Sequence, residues 1–317
     1  MASLHNLKKV RISGLKEVEI NAPSLQSFSY NIGEGDTFVL NIDSSCDLKV
    51  LHLEGLSIRD QLFKNLMSKF PLLEDIHLQY VSDLKRIDIS SQSLKKIDLD
   101  NCNQLVEAKI DTPNLFSFEY VGNGIPSLYF FRAPHQLKAT IICLKYDINP
   151  SWLLALRKFA ADWNPSRVLT LQVKHGWPEM KICDADELEE TYITKVPEIE
   201  HLNLKILWGR CCCESLLDGL FWSCHPKNLS LKEVAEHPDT DLLKKFCELL
   251  VERKEDPQCC TTSKYYKCWR HYLKGVETEI GGGIKVEKPL HWETLSDVLN
   301  SLDFEDQMIC FKFKWGP

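Results

Sequence analysis

A short phrase with apolar residues at its first, fourth and sixth positions repeats without a break from Leu73 to Gly122. Leu73, Leu94 and Leu115 open the first, third and fifth copies and are spaced 21 residues apart. Leu84 and Leu105 open the copies between them. Alternate copies therefore belong to opposite sides of a coil that completes one turn in 21 residues. This period, with a Leu-x-x-Leu-x-Leu core, predicts a leucine-rich repeat solenoid.

The same phrase extends in both directions from this segment. Further front copies begin at Leu7, Leu25, Leu48, Leu137, Val168, Ile199 and Leu229, and a back copy begins at Leu15. Apolar residues at helical spacing predict helices on the back at 59–70, 152–163 and 214–222. We therefore expect about ten front strands between Leu7 and Leu231.

The fold class expected from this pattern is α/β. It is a curved solenoid of short parallel strands, with strands or helices on the back and a small C-terminal α/β cap. We assign residues 1–235 to the solenoid and 236–317 to the cap. In the cap we predict helices at Asp241–Arg253 and Trp292–Leu302 and strands at Lys267–Ile280 and Met308–Trp315. A cap is needed because the last repeat would otherwise expose its apolar side.

Side chains alternate along a strand, so the residues between the core positions point away from the core. The central outward row is predicted to contain Arg11, Ser29, His52, His77, Asp98, Glu119, Ile141, Gln172, Asn203 and Ser230. Flanking rows add Lys9, Asp75, Gln79, Lys96, Asp100 and Lys205. This polar face of mixed charge suits a protein partner better than a small apolar ligand. The predicted partner-binding residues on the concave face are Arg11, His52, Asp75, His77, Gln79, Lys96, Asp98, Asp100, Glu119, Gln172 and Asn203; solvated strand residues are the alternative.

Composition restricts the class of partner. The net charge of −7 and the isoelectric point near 5.8 argue against a nucleic-acid partner. The 13 cysteines are odd in number and include Cys211–Cys213 and Cys259–Cys260, so we expect reduced thiols in the cytoplasm or nucleus. We expect no signal peptide, because the start MASLHNLKKV lacks an apolar stretch, and the sequence has no apolar run long enough to span a membrane.

Several phrases resemble the repeats of plant F-box/LRR proteins. They are L-x-x-I-x-L-D-N-C at Leu94–Cys102, A-x-I-D-T-P-N-L-F-S-F-E-Y-V-G at Ala108–Gly122 and V-E-I-N-A-P-S-L-Q-S-F-S-Y at Val18–Tyr30. The tail around Cys268–Tyr272 is similar to the FBD-type tails of that family. The resemblance implies the substrate receptor of an SCF-type, cullin-containing ubiquitin ligase, whose F-box holds a Skp-type adaptor and whose repeats hold the target. Because the sequence shows no F-box before Leu7, we expect adaptor binding only if an F-box lies upstream.

Catalytic and metal-binding patterns are weak. None of the motifs G-x-G-x-x-G, G-x-x-x-x-G-K-[ST], G-x-S-x-G and H-E-x-x-H occurs, so we expect no enzyme and no cofactor. Cys259, Cys260, Cys268 and His271 suit zinc by type but not by spacing. The basic and aromatic run Lys264–His271 is better explained as an amphipathic strand than as a nucleic-acid site. The leading hypothesis is a non-catalytic protein-interaction module; the alternative is a standalone scaffold or sensor, with zinc at the cysteine cluster as one form of it.

Overall fold

The computed structural model of the chain describes residues 6–36, 38–42, 47–144, 150–163, 168–173, 195–206, 213–233, 245–246, 249–250, 269–280, 284–285 and 308–316. The chain divides into two compact units, Met1–Ile141 (unit 1) and Ile142–Pro317 (unit 2). This division reflects which parts of the chain pack against one another. The boundary predicted between residues 235 and 236 follows the repeat pattern and stays a prediction.

Unit 1 is a coil of short strands. Its front strands lie in the order β1-β3-β5-β6-β8-β10-β12, and its back strands form the sheet β11-β9-β7 and the pair β2-β4. The front strands are β1 (Lys9–Ser13), β3 (Ser27–Asp36), β5 (Val50–Leu56), β6 (Asp75–Gln79), β8 (Lys96–Asp100), β10 (Ser117–Gly122) and β12 (Lys138–Cys143). The back strands are β2 (Glu17–Ile20), β4 (Val39–Ile42), β7 (Arg86–Ser90), β9 (Glu107–Asp111) and β11 (Ser127–Phe131). The predicted leucine-rich repeat solenoid is confirmed.

The apolar positions of the repeat form a continuous core. Ile97 is level with Ile76 and Phe118, and Leu99 is level with Leu78 and Tyr120, because neighbouring strands pair in parallel register. Each of these side chains is at most 3% exposed. Burying a side chain of this size contributes about 2 kcal/mol. No single turn can bury its own face, so these contacts stabilise the stack.

One back element is a helix, as predicted. Helix α1 (Asp60–Lys69) buries Phe63 and Leu66, and it ends before Pro71. The Asp60 carboxylate accepts hydrogen bonds from the backbone N–H groups of Lys85 and Arg86, at 2.8 and 3.0 Å. This contact ties the start of α1 to the start of β7.

The predicted side-chain phase is wrong in β12. The sequence placed Ile141 on the outward row and Thr140 in the core, but Ile141 is 1% exposed and Thr140 is half-buried. The strand alternates from Leu137 through Ala139 to Ile141, all of them buried. Two patterns compete in this segment. The repeat template would bury Thr140 and Ile142, whereas strict alternation from Leu137 buries Ala139 and Ile141 and so removes more apolar surface from water.

Unit 2 contains strands in the order β13-β14-β15-β18-β16-β17. These are β13 (Val168–Val173), β14 (Glu198–Ile206), β15 (His225–Glu233), β16 (Leu273–Ile280), β17 (Ile284–Lys285) and β18 (Ile309–Trp315). The first three are parallel, whereas β18 runs antiparallel to both β15 and β16. The predicted closing strand at Met308–Trp315 is confirmed, and it occupies the hydrogen-bonding edge that β15 would otherwise expose.

Unit 2 includes the helices α2 (Pro150–Asp162), α3 (Cys213–Ser223) and α4 (Trp269–Tyr272). The strand predicted at Lys267–Ile280 is in part wrong, because α4 precedes β16. The helix predicted at Asp241–Arg253 is helical at the described residues 245–246 and 249–250. The helix predicted at Trp292–Leu302 lies outside the described residues.

The core of unit 2 contains a buried cation. Arg157 of α2 is 5% exposed, and its Nη1 donates a 2.7 Å hydrogen bond to the carbonyl oxygen of Trp222. The guanidinium also lies 4.7 Å from the Trp222 ring centroid. In the middle of α3, Asp218 accepts hydrogen bonds from Trp269 Nε1 and Arg270 Nη1, at 2.7 and 2.9 Å. These polar contacts join α2 and α4 to α3.

Candidate functional site: the front face of unit 1

The front face of unit 1 is the outward side of β5, β6, β8 and β10. Parallel pairing places the outward side chains in three level rows. The central row is His52, His77, Asp98 and Glu119; the row nearer the strand starts is Val50, Asp75, Lys96 and Ser117; the row nearer the strand ends is Glu54, Gln79, Asp100 and Val121. The predicted central row is thus confirmed in position through these four strands, and Arg11 and Ser29 extend it on β1 and β3.

Three side chains of the central row, His52, His77 and Asp98, contact one another in sequence. The rings of His52 and His77 have centroids 4.3 Å apart at an angle of 53°. His77 Nδ1 lies 3.4 Å from Asp98 Oδ2, and the same oxygen accepts a 2.6 Å hydrogen bond from Lys96 Nζ. Asp98 is 8% exposed, so a carboxylate predicted to be outward is held almost entirely among its neighbours.

The charge states of this row follow from burial and neighbours. Burial raises the pKa of the Asp98 carboxyl, but hydrogen bonds from His77 and Lys96 outweigh it and bring that pKa below its usual value. The hydrogen bond to Asp98 raises the pKa of Lys96. Burial, and then the proximity of Asp98, raise the pKa of Glu119. Burial, and then His77, lower the pKa of His52.

The flanking rows are only partly paired. Gln79 Nε2 donates a 2.8 Å hydrogen bond to Asp100 Oδ2, and Asn101 Nδ2 donates one to Asp100 Oδ1 at 2.8 Å. Burial raises the pKa of the Asp75 carboxyl. Glu54 is level with Gln79 and belongs to the same face, although the predicted site omitted it. Glu54 directly follows Leu53, as Gln79 follows Leu78. The repeat pattern therefore places Glu54 at the same position as Gln79.

Two predicted site residues lie in unit 2. Asn203 is level with Thr170 and Ser230, and Asn203 Nδ2 lies 3.4 Å from Thr170 Oγ1. Gln172 is level with Lys205, so the prediction that Gln172 shares the row of Asn203 is wrong. The physical reason is the strand phase: Leu169 and Leu171 are the buried pair that flanks Thr170.

The other predicted features are described only in part. His271 is exposed on α4, whereas Cys259, Cys260 and Cys268 lie outside the described residues. Within the part of the chain that the structure describes, no three His, Cys, Asp or Glu side chains are grouped as a metal site. None of the helices among the described residues combines the length and apolar composition needed to cross a bilayer.

Residues 36–149 match the family model described as the LRR domain of At1g61320/AtMIF1, a plant protein. This segment is a leucine-rich repeat domain. The match covers just over a third of the chain and contains all four strands of the front face. No curated protein and no solved structure matches the chain. The match supports the plant leucine-rich repeat part of the family resemblance, while its F-box and FBD parts stay predictions.

Proposed function

We propose that this chain is a non-catalytic cytoplasmic or nuclear protein that binds a protein target on the front face of unit 1, as the substrate-recognition part of an SCF-type ubiquitin ligase receptor. A leucine-rich repeat domain is a protein-interaction module, and that general function rests on the repeat fold and on the family match. The ligase role is the finer part, and the repeat phrases at Val18–Tyr30 and Ala108–Gly122 support it by their resemblance to plant F-box/LRR proteins.

The observation that carries target binding is the level row of His52, His77, Asp98 and Glu119. These four side chains stand on adjacent strands whose spacing is about 4.8 Å, so the row extends about 14 Å over a rigid sheet. Each side chain is polar, and each is fixed by the buried core residues on either side of it. A rigid polar row of this kind orders few side chains on binding and so loses little conformational entropy.

Photo-crosslinking in plant extract tests target binding. A benzoylphenylalanine residue replaces His77 on the front face or, in the control, Asp88 on the exposed side of back strand β7. We expect discrete protein adducts at position 77 that are absent at position 88. Equal adducts at both positions, or none at 77, would contradict a target site on this face.

The ligase link has its own measurement. A Skp-type adaptor and a cullin should co-purify with the full-length natural protein, and loss of that protein should raise the abundance of the target crosslinked at position 77. A target that crosslinks at 77 without adaptor, cullin or any change in abundance would favour the alternative, a standalone repeat scaffold. Zinc at Cys259, Cys260, Cys268 and His271, the other form of that alternative, is measured by elemental analysis of the purified chain.

A further inference from the structure

The front face of unit 1 carries an unbalanced cluster of charges. We call Asp75, Asp98, Asp100 and Glu119, together with Lys96, the acidic cluster. All five are outward residues of three adjacent strands, and Glu54 adds a sixth charge on the next strand. The face from β5 to β10 therefore holds five carboxylates and one ammonium group, a formal surplus of four negative charges when the histidines are left out of the count.

The described cations of β1 and of the neighbouring strand starts do not remove this surplus. Lys9 and Arg11 lie on β1, four strand spacings from β8 and hence about 19 Å away. That distance is about twice the screening length at physiological salt, so their effect on the cluster is small. Lys49 and Lys95 lie at the strand starts, where both pair with Glu74, Lys49 at 3.1 Å.

The interior of the cluster also contains polar atoms that lack partners. Asp98 Oδ1, His77 Nε2 and His52 Nε2 are buried and accept or donate no hydrogen bond within the described part of the chain. A buried polar atom without a hydrogen bond is destabilising, because it has lost its contacts with water and gained none in return. Asp98 is the strongest case, because it is 8% exposed and uses only Oδ2 for Lys96 and His77.

The carboxylates of Asp75 and Glu119 are in an unfavourable environment for a negative charge. Among the described residues neither the Asp75 nor the Glu119 carboxylate has a hydrogen-bond partner, and burial raises the pKa of each. Asp98 raises both values further, because like charges on adjacent strands repel. A cation placed over this cluster would relieve that repulsion. An anionic partner such as a nucleic acid would increase it.

We propose that the acidic cluster is the docking point for a basic segment of the protein target, with an arginine or lysine side chain placed between Asp75, Asp98 and Glu119. This inference rests on the proposed function and names the chemistry of the target. Arginine fits best, because its planar guanidinium presents several N–H donors and can bind adjacent carboxylates at once.

The test uses calorimetric titration of the full chain with peptides of about eight residues, which span about 26 Å when extended and so cover the face. One peptide alternates Arg with Ser, and the control peptide alternates Glu with Ser. The decisive variant is Asp75→Asn with Glu119→Gln, which removes two charges that have no hydrogen-bond partner among the described residues. The matched variant is Glu19→Gln with Asp88→Asn, which makes the same charge change at exposed positions of β2 and β7.

We expect the Arg peptide to bind and the Glu peptide not to bind. The front-face variant should weaken the Arg peptide about tenfold, and the matched variant less than about twofold. Equal weakening by both variants would mean that the Arg peptide responds only to the overall net charge of −7, and it would overturn the proposal. Binding of the Arg peptide that is unchanged in the front-face variant would overturn it too.

The Arg peptide also separates this inference from the proposed function. It should displace the target that crosslinks at position 77. A target that crosslinks at 77 but is not displaced would leave the front face as the binding site and refute its basic chemistry. If no target crosslinks at 77, the proposed function fails regardless of the peptide result.

Discussion

His225 makes the stability of unit 2 depend on pH. Its ring stacks on Trp315 with centroids 4.0 Å apart and an angle of 3°, and the residue is 8% exposed. Burial lowers its pKa from 6.5 to about 4, with Glu198 opposing the shift and Arg157 and Lys195 adding to it. The unfolded chain therefore binds a proton that the folded chain excludes. The resulting stability is complete above pH 6.5 and is lost as the pH falls towards 4.

The size of the effect follows from the two pKa values. At pH 5 the unfolded imidazole is mostly protonated and the folded one is mostly neutral, so unit 2 loses about 2 kcal/mol relative to neutral pH. The limit below pH 4 is about 3 kcal/mol. His225→Phe retains a flat ring against Trp315 and removes the titrating group, so it should remove this part of the pH dependence.

Urea unfolding at about pH 7.5 and pH 5 measures the loss for each protein. The fluorescence of Trp222, Trp269 and Trp315 reports on unit 2, because the first two are buried in its core and the half-buried Trp315 stacks on His225. Wild-type protein should lose about 2 kcal/mol more than His225→Phe between the two conditions. The control is His201→Gln, which removes an exposed imidazole from β14. Losses that agree within about 0.5 kcal/mol for wild type and His225→Phe would refute the reasoning, as would an equal flattening by His201→Gln.

Three further predictions concern unit 1. Leu99→Ala should lower the free energy of unfolding by about 3 kcal/mol in urea titration. The control Val106→Ala should lower it by less than about 0.5 kcal/mol, because Val106 is 61% exposed. Glu119→Gln should gain stability relative to wild type as the pH rises from about 4 to 7, because the raised pKa of Glu119 favours the folded wild type only at low pH. Gly55→Ala should lower the melting temperature, because φ is +71° and the added Cβ would lie 3.0 Å from the Gly33 backbone.

The repeat period alone fixes the register where one phase fits. Ile97 and Leu99 fall in the core and Asp98 between them, because the 21-residue spacing admits a single alignment with Phe118 and Tyr120. The phase fails where the apolar residues allow two alignments. Near β12 the Leu-x-x-Leu-x-Leu template selects Thr140 and Ile142, whereas period-two alternation selects Ala139 and Ile141. Burial decides between them, and burial depends on neighbours that a single strand does not reveal.

The properties of the site depend on a further choice that the repeat pattern does not determine. Lys96 can reach two acidic residues. Asp98 lies two positions further along its own strand, and Asp75 is level with Lys96 on β6. The Lys96 ammonium group donates a 2.6 Å hydrogen bond to Asp98, and the carboxylates of Asp75 and Glu119 have no hydrogen-bond partner among the described residues. The number of surplus negative charges on the front face can be counted from the sequence. Which carboxylates remain unpaired cannot, since that depends on the rotamer of Lys96. If Lys96→Met strengthened binding of the Arg peptide, the surplus charge itself would be the recognition element; weaker binding would mean that Lys96 positions Asp98 for the partner.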